Sequence, residues 1–548
     1  MPVFTQLTPT RRGGRRLSAL VPEGATTIPP RPETAGPAAA ADPLVTSVVV
    51  EHASAGPGAL FAALPGRSRH GADLAREAAS RGAVAVLTDA TGSARAAATG
   101  LPVVVVDDPR ATLGAVAAAV YGTDRVVPQL LGVTGTNGKT TTVHVLDAVL
   151  RQLGVPSGLS STADRRSGGR VVASRLTSPE APELHALLAR MVEDGVRAAA
   201  LEVSAQALTR RRVDGLVVDV AGFTNLSHDH LDDYADLGEY LEAKLELFTP
   251  ARSRRAVVLL DSPAGREVAR RALVPVTRVT TLPEGPDADW SVVVDAITAS
   301  GTSFRLVAAD GRSLATSVPL IGRHMAADAA LALVMLLEAG HDLDRLRDAV
   351  RDGIDVTVPG RTLRVSGARG PRVYTDFSHT PDSVEKTLDG LRAITDGRLV
   401  AVIGADGDRD PSKRELMGRA AAQGADLVIV TDHHPRSEEP SQIRRALLRG
   451  ARAGGGAGRV VEVAEPERAI RRALAGAAEG DTVLWVGPGD TDYRLVAGVE
   501  VAYSPRHDAR AALAEAGWGD GPAVPAEQTR GGGSARCGGS PSSRAGRR

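Results

Sequence analysis

Short apolar runs recur along the chain, and each is followed by a stretch with apolar positions at helical spacing. Runs of β-branched and aliphatic residues are typical of buried strands, and the Ala-, Leu- and Arg-rich stretches between them are typical of amphipathic helices. The strand-like runs are VAVL (84–87), LPVVVV (101–106), LLGVTG (130–135), AVVLL (256–260), LVAVIG (399–404), DLVIVTD (426–432) and TVLWVG (482–487). This alternation predicts an α/β fold with mostly parallel sheets.

Interruptions of the pattern divide the chain into segments. Both ends, 1–43 and 519–548, are rich in Pro, Ala, Gly, Ser or Arg and have no apolar periodicity. We therefore expect them to be disordered. Three domains are predicted between them: 44–125, 126–360 and 361–518. The second begins before a strand and a glycine-rich loop, and the third follows Pro359-Gly360.

Composition narrows the function class. The 548 residues include 65 Lys+Arg, 65 Asp+Glu and 43% hydrophobic residues, which suits a folded multidomain protein without the basic excess of a nucleic-acid or membrane-surface binder. No apolar run approaches the roughly 20 residues of a membrane span. The lone Cys537 excludes an intramolecular disulfide framework and fits a reducing compartment. We expect a cytoplasmic protein with small-molecule partners.

Lysine is scarce. Only four of the 65 basic residues are lysines, and they are Lys139, Lys244, Lys386 and Lys413. Arginine cannot supply a compact ammonium to a phosphate site or a titratable amine for chemistry. Each remaining lysine is therefore a candidate functional residue, with chance retention as the alternative.

The segment LLGVTGTNGKTTTVHVLDAVL (130–150) carries a phosphate-binding pattern. An apolar strand leads into a glycine-rich loop, then Lys139 with Thr140 and Thr141, then an amphipathic helix. Gly135 and Gly138 let backbone N–H groups approach phosphate oxygens, the lysine reaches the terminal phosphates, and a threonine hydroxyl can ligate Mg²⁺. Val133 occupies the first glycine position of the strict motif, so the match is to its chemistry rather than its exact spacing.

GTNGKTT resembles the nucleotide loop of the Mur ligase and folylpolyglutamate synthetase superfamily. Further motifs follow in the order found in Mur ligases of the UDP-N-acetylmuramyl-tripeptide synthetase (MurE) type. They are LEVSAQALTRRRVDG (201–215), FTNLSHDHLDDY (223–234), YLEAKLELF (240–248), PGRTLRV (359–365), DFSHTPDSVEKTL (376–388) and GADGDRDPSKRELMGRAA (404–421). The similarity covers roughly 44–515. It implies a three-domain architecture with a central P-loop ATPase-like parallel sheet and a C-terminal Rossmann-like domain, in a chain that is usually monomeric.

The resemblance also implies a reaction. A substrate carboxylate attacks the γ-phosphate of ATP, and an amine then attacks the acyl phosphate, while cations neutralise the transferring group. The implied residues for ATP are Gly135, Thr136, Asn137, Gly138, Lys139, Thr140, Thr141, Arg361, Asp376 and His379. Thr140, Glu202 and His230 match Mg²⁺ ligands, and Lys244 aligns with a lysine that the family carbamylates. Without the resemblance, Lys244 would be interpreted as a solvated helical cation. His228 lies at a variable position of its motif and is expected to be solvated.

The two other substrates are matched less closely. The resemblance places the UDP-muramyl dipeptide at Thr177, Ser178, Ser204 and Arg212, with capping of a helix near Pro179 as the alternative for the first two. It places the amino acid, such as diaminopimelate, at Arg409, His433, His434, Pro435, Arg436 and Gly487. In the amino-acid pocket, Arg436 and Arg409 can each fork onto a carboxylate.

Several positions depart from the family pattern. Met325 and Asp328 replace asparagines near adenine, and Glu51-His52-Ala53 replaces a uridine-contacting Asp-Ser-Arg. Thr491 replaces a glutamate that takes the distal amino group of diaminopimelate, for which Asp490 is the nearest substitute. A metal site at His433-His434 is not expected, because successive strand side chains point apart and no third ligand is evident.

Three functions remain open from the sequence. The first is a tripeptide synthetase that adds a diamino acid to UDP-N-acetylmuramoyl-L-alanyl-D-glutamate in peptidoglycan synthesis. The second keeps the ligase chemistry on another carboxylate and amine in specialised metabolism. The third is a non-catalytic nucleotide-binding paralogue, against which the retained metal and lysine positions argue.

Overall fold

The computed structural model describes residues 6–11, 13–30, 41–66, 68–283, 287–455 and 458–518. The strands of these residues form three main sheets in chain order. All seven apolar runs singled out above lie on strands, so the predicted α/β class is confirmed. Among the described residues, no helix has the length and apolarity to cross a membrane.

The first sheet has the order β2-β7-β6-β5-β4, in which only the β2 pairing is antiparallel. Helix α3 begins after Asp108, whose side chain accepts from Arg110 N and Ala111 N, and ends before Gly122 at φ 75°. The elements are β1 (Arg15–Arg16), β2 (Thr26–Ile28), β3 (Leu44–Val45), β4 (Ser47–Val49), β5 (Ala59–Ala62), α1 (Ala75–Ser80), β6 (Ala83–Thr88), α2 (Ser93–Ala97), β7 (Val103–Val105) and α3 (Pro109–Tyr121).

Within the segment 1–43, which was expected to be disordered, the described residues 6–11, 13–30 and 41–43 include β1 and β2; the other residues of that segment and all of 519–548 lie outside the described residues. Leu17 and Leu20 are buried, β2 pairs with β7, and Leu7 packs into the core of the next domain. Backbone N–H groups of Thr10 and Arg11 donate to Glu193. The Pro- and Arg-rich composition concealed these short strands because each has only two or three residues.

The central sheet is eleven-stranded, with the order β11-β10-β9-β12-β8-β13-β14-β15-β16-β17-β18. Strands β9 to β16 along this order are parallel, as predicted. The buried helices α4 and α9 pack on one face. The elements are β8 (Gln129–Thr134), α4 (Lys139–Gln152), β9 (Ser157–Ser160), β10 (Asp164–Ser167), β11 (Arg170–Ala173), α5 (Ala181–Glu193), β12 (Ala198–Glu202), α6 (Ala205–Thr209), β13 (Val218–Phe223), α7 (Leu237–Leu245), β14 (Ser253–Leu259), α8 (Pro263–Arg271), β15 (Val276–Thr280), β16 (Trp290–Thr298), β17 (Gly301–Ala308), β18 (Ser313–Val318), α9 (Arg323–Glu338) and α10 (Leu343–Ala349).

The third sheet has the order β19-β20-β24-β21-β22-β23 and is parallel except for β19. A separate hairpin, β25-β26, follows it. The elements are β19 (Leu363–Arg364), β20 (Arg372–Asp376), α11 (Pro381–Arg392), β21 (Leu399–Ile403), α12 (Lys413–Gly424), β22 (Leu427–Val430), α13 (Pro440–Ala453), β23 (Arg459–Glu462), α14 (Pro466–Leu474), β24 (Thr482–Val486), β25 (Tyr493–Val496), β26 (Val499–Ala502) and α15 (Pro505–Glu515). The segments that follow β20 and β21 contact the central domain, through Asp382 to Asn137 and through Lys413 to Asp229.

Candidate active site

The glycine-rich loop joins the end of β8 to the start of α4. Gly135 has φ 148° and Gly138 has φ 88°. A Cβ at Gly138 would collide with the Asp328 carboxylate, and one at Gly135 would collide with the Thr224 hydroxyl. Only glycine therefore fits at either position, and the backbone is left bare at a helix N-terminus, where an anion is favoured.

Two lysines converge on this loop. Lys139 Nζ donates to the carbonyls of Gly135 at 2.9 Å and Thr136 at 2.8 Å, and Lys244 Nζ also donates to the Gly135 carbonyl at 2.9 Å. Lys244 is fully buried over the Tyr240 ring, so it is not a solvated cation. Burial and the charge of Lys139 hold the pKa of Lys244 well below its ordinary value. This favours a neutral, nucleophilic amine.

The loop is braced by the segment that follows β13. Thr136 N donates to the Asn225 carbonyl at 2.9 Å, and Asn137 N donates to Asn225 Oδ1 at 3.1 Å. Thr140 Oγ1 lies 3.3 Å from Arg361 Nη2, and Thr141 bonds to Asp328. The predicted nucleotide residues from Gly135 to Thr141 and Arg361 therefore lie together.

Asp328 faces the phosphate loop, and Met325 lies in the core of the central domain. Burial raises the pKa of Asp328 to about 7, although Lys386, Arg361 and Lys139 oppose this. Asp328, which stands where the resemblance predicts an asparagine, is thus a carboxyl group that titrates near neutrality beside the phosphate loop.

Glu202 lies near the phosphate loop, at the end of the neighbouring strand β12. It is buried at the end of β12, and its carboxylate accepts from Thr162 N at 2.7 Å and Thr162 Oγ1 at 3.0 Å. Its charge also acts on Lys139. A buried carboxylate beside a hydroxyl and a phosphate loop suits Mg²⁺, which prefers oxygen ligands.

The predicted acceptor residues adjoin Glu202. Thr177 and Thr162 share a 3.0 Å hydroxyl contact, and Ser178 Oγ donates to the Glu202 carbonyl at 2.8 Å. Ser204 N in turn donates to Ser178 Oγ at 3.1 Å. Helix α5 begins later, at Ala181, without a side-chain cap, so Thr177 and Ser178 do not cap it.

Arg212 lies beside this group of hydroxyls. Its Nε donates to Glu180 Oε1 at 2.9 Å, and Arg110 of α3 holds the other oxygen at 3.0 Å. The acceptor residues thus lie where the first and central domains meet.

Asp229 joins the central and third domains and was not predicted. Lys413 Nζ donates to it at 2.8 Å, and the Nε2 atoms of His230 and His379 each lie 3.5 Å away. Although burial opposes ionisation, His379, Lys413 and His230 hold the pKa of Asp229 well below its ordinary value. Burial lowers the pKa of His230 to about 4, so it is a neutral imidazole.

Other contacts cross the same boundary. Asn137 Nδ2 donates to Asp382 at 2.9 Å, and His228, which was expected to be solvated, meets Ser412 Oγ at 2.8 Å. Asp376 instead remains within its own domain, where it accepts from Thr362 N at 2.6 Å and Ser378 N at 2.8 Å. The phosphate loop therefore contacts the third domain directly.

The predicted amino-acid residues meet at the carboxyl edge of the third sheet. Arg436 Nη2 donates to Asp406 Oδ2 at 3.1 Å, and Arg436 N donates to the Leu495 carbonyl at 2.9 Å. Pro435 is buried, with its carbonyl against Gly407, and Gly487 is positioned so that a Cβ would contact the His433 ring. Arg409 is exposed and is not brought to this group by any described contact.

The expectation that His433 and His434 point apart is wrong. Their ring centroids lie 4.1 Å apart, and Asp406 supplies a third potential ligand group. The backbone turns here, with φ 55° at Arg436. His434 Nδ1 already accepts from Leu495 N at 2.9 Å, which uses the one lone pair of a neutral imidazole. The arrangement therefore presents N–H groups around Asp406 rather than a vacant metal site.

The residues that sequence reasoning missed are Thr162, Asn225, Asp229, Asp382 and Asp406. The scarcity of lysine was the useful signal, because all four lysines lie around one junction. Lys139 and Lys244 contact the phosphate loop, Lys413 pairs with Asp229, and Lys386 pairs with Asp382 at 2.8 Å. Nothing local in the sequence linked the acidic partners to them.

Three family models match the chain. They are the Mur ligase family catalytic domain over residues 46–121, the Mur ligase middle domain over 133–336, and the Mur ligase glutamate ligase domain over 360–489.

Curated relatives and solved structures point to the same family as these models. A UDP-N-acetylmuramyl-tripeptide synthetase of Leifsonia xyli subsp. xyli is 55% identical, covering 86% of this chain and 92% of its own. A UDP-N-acetylmuramoyl-L-alanyl-D-glutamate–2,6-diaminopimelate ligase of Streptomyces coelicolor is 41% identical over the same shares. A structure of such a diaminopimelate ligase has a TM-score of 0.58 at 26% identity, covering 86% of this chain and 95% of that one. The MurF ligase of Thermotoga maritima with ADP has a TM-score of 0.58 at 20% identity, covering 80% and 93%.

Proposed function

This chain belongs to the Mur ligase family, and from that membership we propose that it joins a diamino acid to the glutamyl carboxylate of UDP-N-acetylmuramoyl-L-alanyl-D-glutamate. It is an ATP-dependent ligase of peptidoglycan precursor synthesis with the three-domain Mur ligase fold. The observation that carries the proposal is the convergence of Lys139 and Arg361 on one phosphate loop. Such cations neutralise the charge of a transferring phosphoryl group.

The residue roles follow from their surroundings. The loop from Gly135 to Thr141 binds the ATP phosphates, and Arg361 reaches across from the third domain. Glu202, Thr140 and His230 would hold Mg²⁺, which supplies charge neutralisation between the phosphates when bound. The buried amine of Lys244, with its lowered pKa, would add dissolved CO₂ and release a proton to become a carbamate. Thr177, Ser178, Ser204 and Arg212 bind the UDP-linked dipeptide at the first domain, and Arg436 binds the amino acid in the third.

Closure of the third domain over the phosphate loop excludes water from the acyl phosphate. The contacts from Asn137 to Asp382 and from Asp229 to Lys413 support this part of the proposal, since both join the two domains. We also propose that the chain acts in the cytoplasm as a monomer, which light scattering of the purified protein would test.

The test of the function is a turnover assay. Purified protein receives Mg-ATP, UDP-N-acetylmuramoyl-L-alanyl-D-glutamate and one of several diamino acids, and phosphate release and product mass are followed. One added amino acid per product is expected, and Lys139→Ala should abolish it. If ATP binds but no diamino acid supports turnover, the assigned substrates are wrong, and another carboxylate or a non-catalytic role must be sought.

A further inference from the structure

One threonine holds both oxygens of the Glu202 carboxylate. Strands β9 and β12 are parallel neighbours with Ser160 opposite Leu201, so Thr162 and Glu202 follow them at the same edge of the central sheet. Thr162 N donates to Glu202 Oε1 at 2.7 Å, and Thr162 Oγ1 donates to Oε2 at 3.0 Å. These two bonds fix the plane of the carboxylate of Glu202, which is 3% exposed.

The carboxylate keeps capacity for a cation in this arrangement. Each carboxylate oxygen has two lone pairs, and the bonds from Thr162 use one lone pair on each oxygen. The charge of Glu202 acts on Lys139, which places the carboxylate beside the phosphate loop. A metal ligand whose oxygens are already oriented loses little side-chain freedom when the metal binds, and partners that orient ligands raise metal affinity.

The Thr162 hydroxyl has a second neighbour on the acceptor side. Its Oγ1 lies 3.0 Å from Thr177 Oγ1, in the group of residues that we assign to the UDP-linked dipeptide. A hydroxyl has one hydrogen and an ionised carboxylate can only accept, so Thr162 donates to Glu202 and accepts from Thr177. The hydrogen of the Thr177 hydroxyl is thereby used, and its lone pairs remain for a substrate N–H or O–H group.

The turn that carries Thr162 is fixed to the helix of the phosphate loop. Ser161 Oγ accepts from Asp164 N at 3.0 Å, which closes the turn 161–164. His144 lies on α4, and its Nε2 is 3.3 Å from both Ser161 Oγ and Asp164 Oδ1. Burial opposes ionisation of Asp164, but the hydrogen bond from His144 helps to hold its pKa at about 2, so it is a buried anion tied to α4. Thr162 is therefore presented to Glu202 from a rigid support.

We propose that Thr162 is a positioning residue, which sets the Glu202 carboxylate for Mg²⁺ and, through the same hydroxyl, orients Thr177 for the UDP-linked dipeptide. The metal site and the acceptor site then share one hydroxyl, and its loss acts on both while leaving the amino-acid pocket unchanged. This inference rests on the proposed function, because the ligands of Glu202 and Thr177 are assigned there.

The test removes the hydroxyl and leaves the backbone N–H in place. Thr162→Val keeps the branched shape, and the Mg²⁺ concentration for half-maximal effect should rise about 10- to 100-fold, the range for loss of a partner that orients a metal ligand. Calorimetric titration of a non-hydrolysable ATP analogue at a series of Mg²⁺ concentrations measures this without turnover. The affinity for the analogue in the absence of Mg²⁺ should be unchanged.

The acceptor half of the proposal has its own measurement. Calorimetric titration of the UDP-linked dipeptide into Thr162→Val should show an affinity a few-fold below that of the wild type, since the Thr177 hydroxyl is no longer oriented. In steady-state kinetics the KM for the amino acid should stay the same. An unchanged dipeptide affinity would show that Thr162 does not orient Thr177.

Two further variants separate the hydroxyl from the fold. Thr162→Ser retains the hydroxyl and should keep the wild-type Mg²⁺ requirement. Thr316→Val is the matched control, because it removes a buried hydroxyl of the same domain that donates to the Val350 carbonyl at 2.7 Å. It should lower the melting temperature without changing the Mg²⁺ requirement. If Thr162→Val does not fold, Thr162→Cys replaces it, since the thiol is only a weak donor.

A folded Thr162→Val protein with the wild-type Mg²⁺ requirement would overturn the proposal. Equal losses in Thr162→Ser and Thr162→Val would also overturn it, because side-chain shape rather than the hydroxyl would then matter. The binding measurements are independent of the ligase reaction. Absence of turnover in a wild type whose Mg²⁺ requirement still depends on Thr162 would sink only the proposed function, whereas normal turnover without that dependence would sink only the positioning role.

Discussion

The phosphate loop and the amino-acid pocket are built in different ways. The loop is one continuous stretch whose ligand groups are mostly backbone atoms, and its glycines are required by positive φ and by the contacts around them. The pocket instead collects side chains from the ends of β21, β22 and β24 and from β25. Backbone sites tolerate little change, whereas side-chain sites can change substrate by a few substitutions. Accordingly, the phosphate loop of this chain keeps the family motif, whereas the amino-acid pocket departs from it.

The sharpest test of this contrast is Gly138→Ala. The new methyl group would collide with Asp328 at a residue with φ 88°, so ATP affinity should fall by at least about 100-fold, or roughly 3 kcal/mol. Gly154→Ala, at φ 73° with nothing within 4 Å of the new methyl group, should cost only about 1 kcal/mol of stability. Calorimetric ATP binding and thermal melting separate the two. Similar ATP affinities in both variants would contradict the backbone argument.

In the amino-acid pocket, Arg436→Ala should weaken binding of the amino acid but not of ATP. The amino-acid KM should rise by about 10- to 100-fold and the ATP KM by much less, because a charged hydrogen-bond donor is lost at one site. Arg449→Ala, which removes an exposed arginine paired with Glu415, is the control. Initial rates with each substrate varied give both constants. Equal increases in the two KM values would show that Arg436 is not a carboxylate anchor.

The sequence predicted the parts that follow from local pattern. Strand runs and the glycine-rich loop gave the sheets and the nucleotide site, since periodicity and backbone chemistry are local properties. Short strands such as β2 were missed because a few residues carry too little periodicity. Asp229 and Asp406 were missed because their partners, Lys413 and Arg436, lie far away in sequence or across a turn. The stacking of His433 on His434 depends on the turn at Arg436, which no local pattern indicates.

A third variant tests the link between the two regions. Lys413→Met removes the cation from a buried pair that joins the domains, with side chains 9% and 5% exposed. An unpaired Asp229 should disfavour closure, so we expect kcat to fall about tenfold while each domain remains folded. Arg419→Met, an exposed position on the same helix α12, should behave as wild type. X-ray scattering with a nucleotide analogue reports closure directly, and an unchanged compact profile in Lys413→Met would refute the role of this pair.

The smallest expected effect on activity concerns Asp328, where the side chain rather than the backbone of the nucleotide site has changed. Its pKa is raised to about 7 in the fold, against about 3.9 in an unfolded chain, so the folded state binds the proton more tightly. Stability from this group is therefore greatest below about pH 4 and is lost as the pH rises towards 7, by on the order of 2–4 kcal/mol. Above pH 7 the carboxylate also faces the phosphates, so the ATP KM should rise a few-fold between pH 6 and 8 by charge repulsion. Asp328→Asn should flatten both trends, as ATP kinetics and denaturant unfolding at the two pH values would reveal. If the variant keeps the wild-type slopes, the titration belongs to another group, and the nucleotide site is as insensitive to its side chains as the backbone argument alone would suggest.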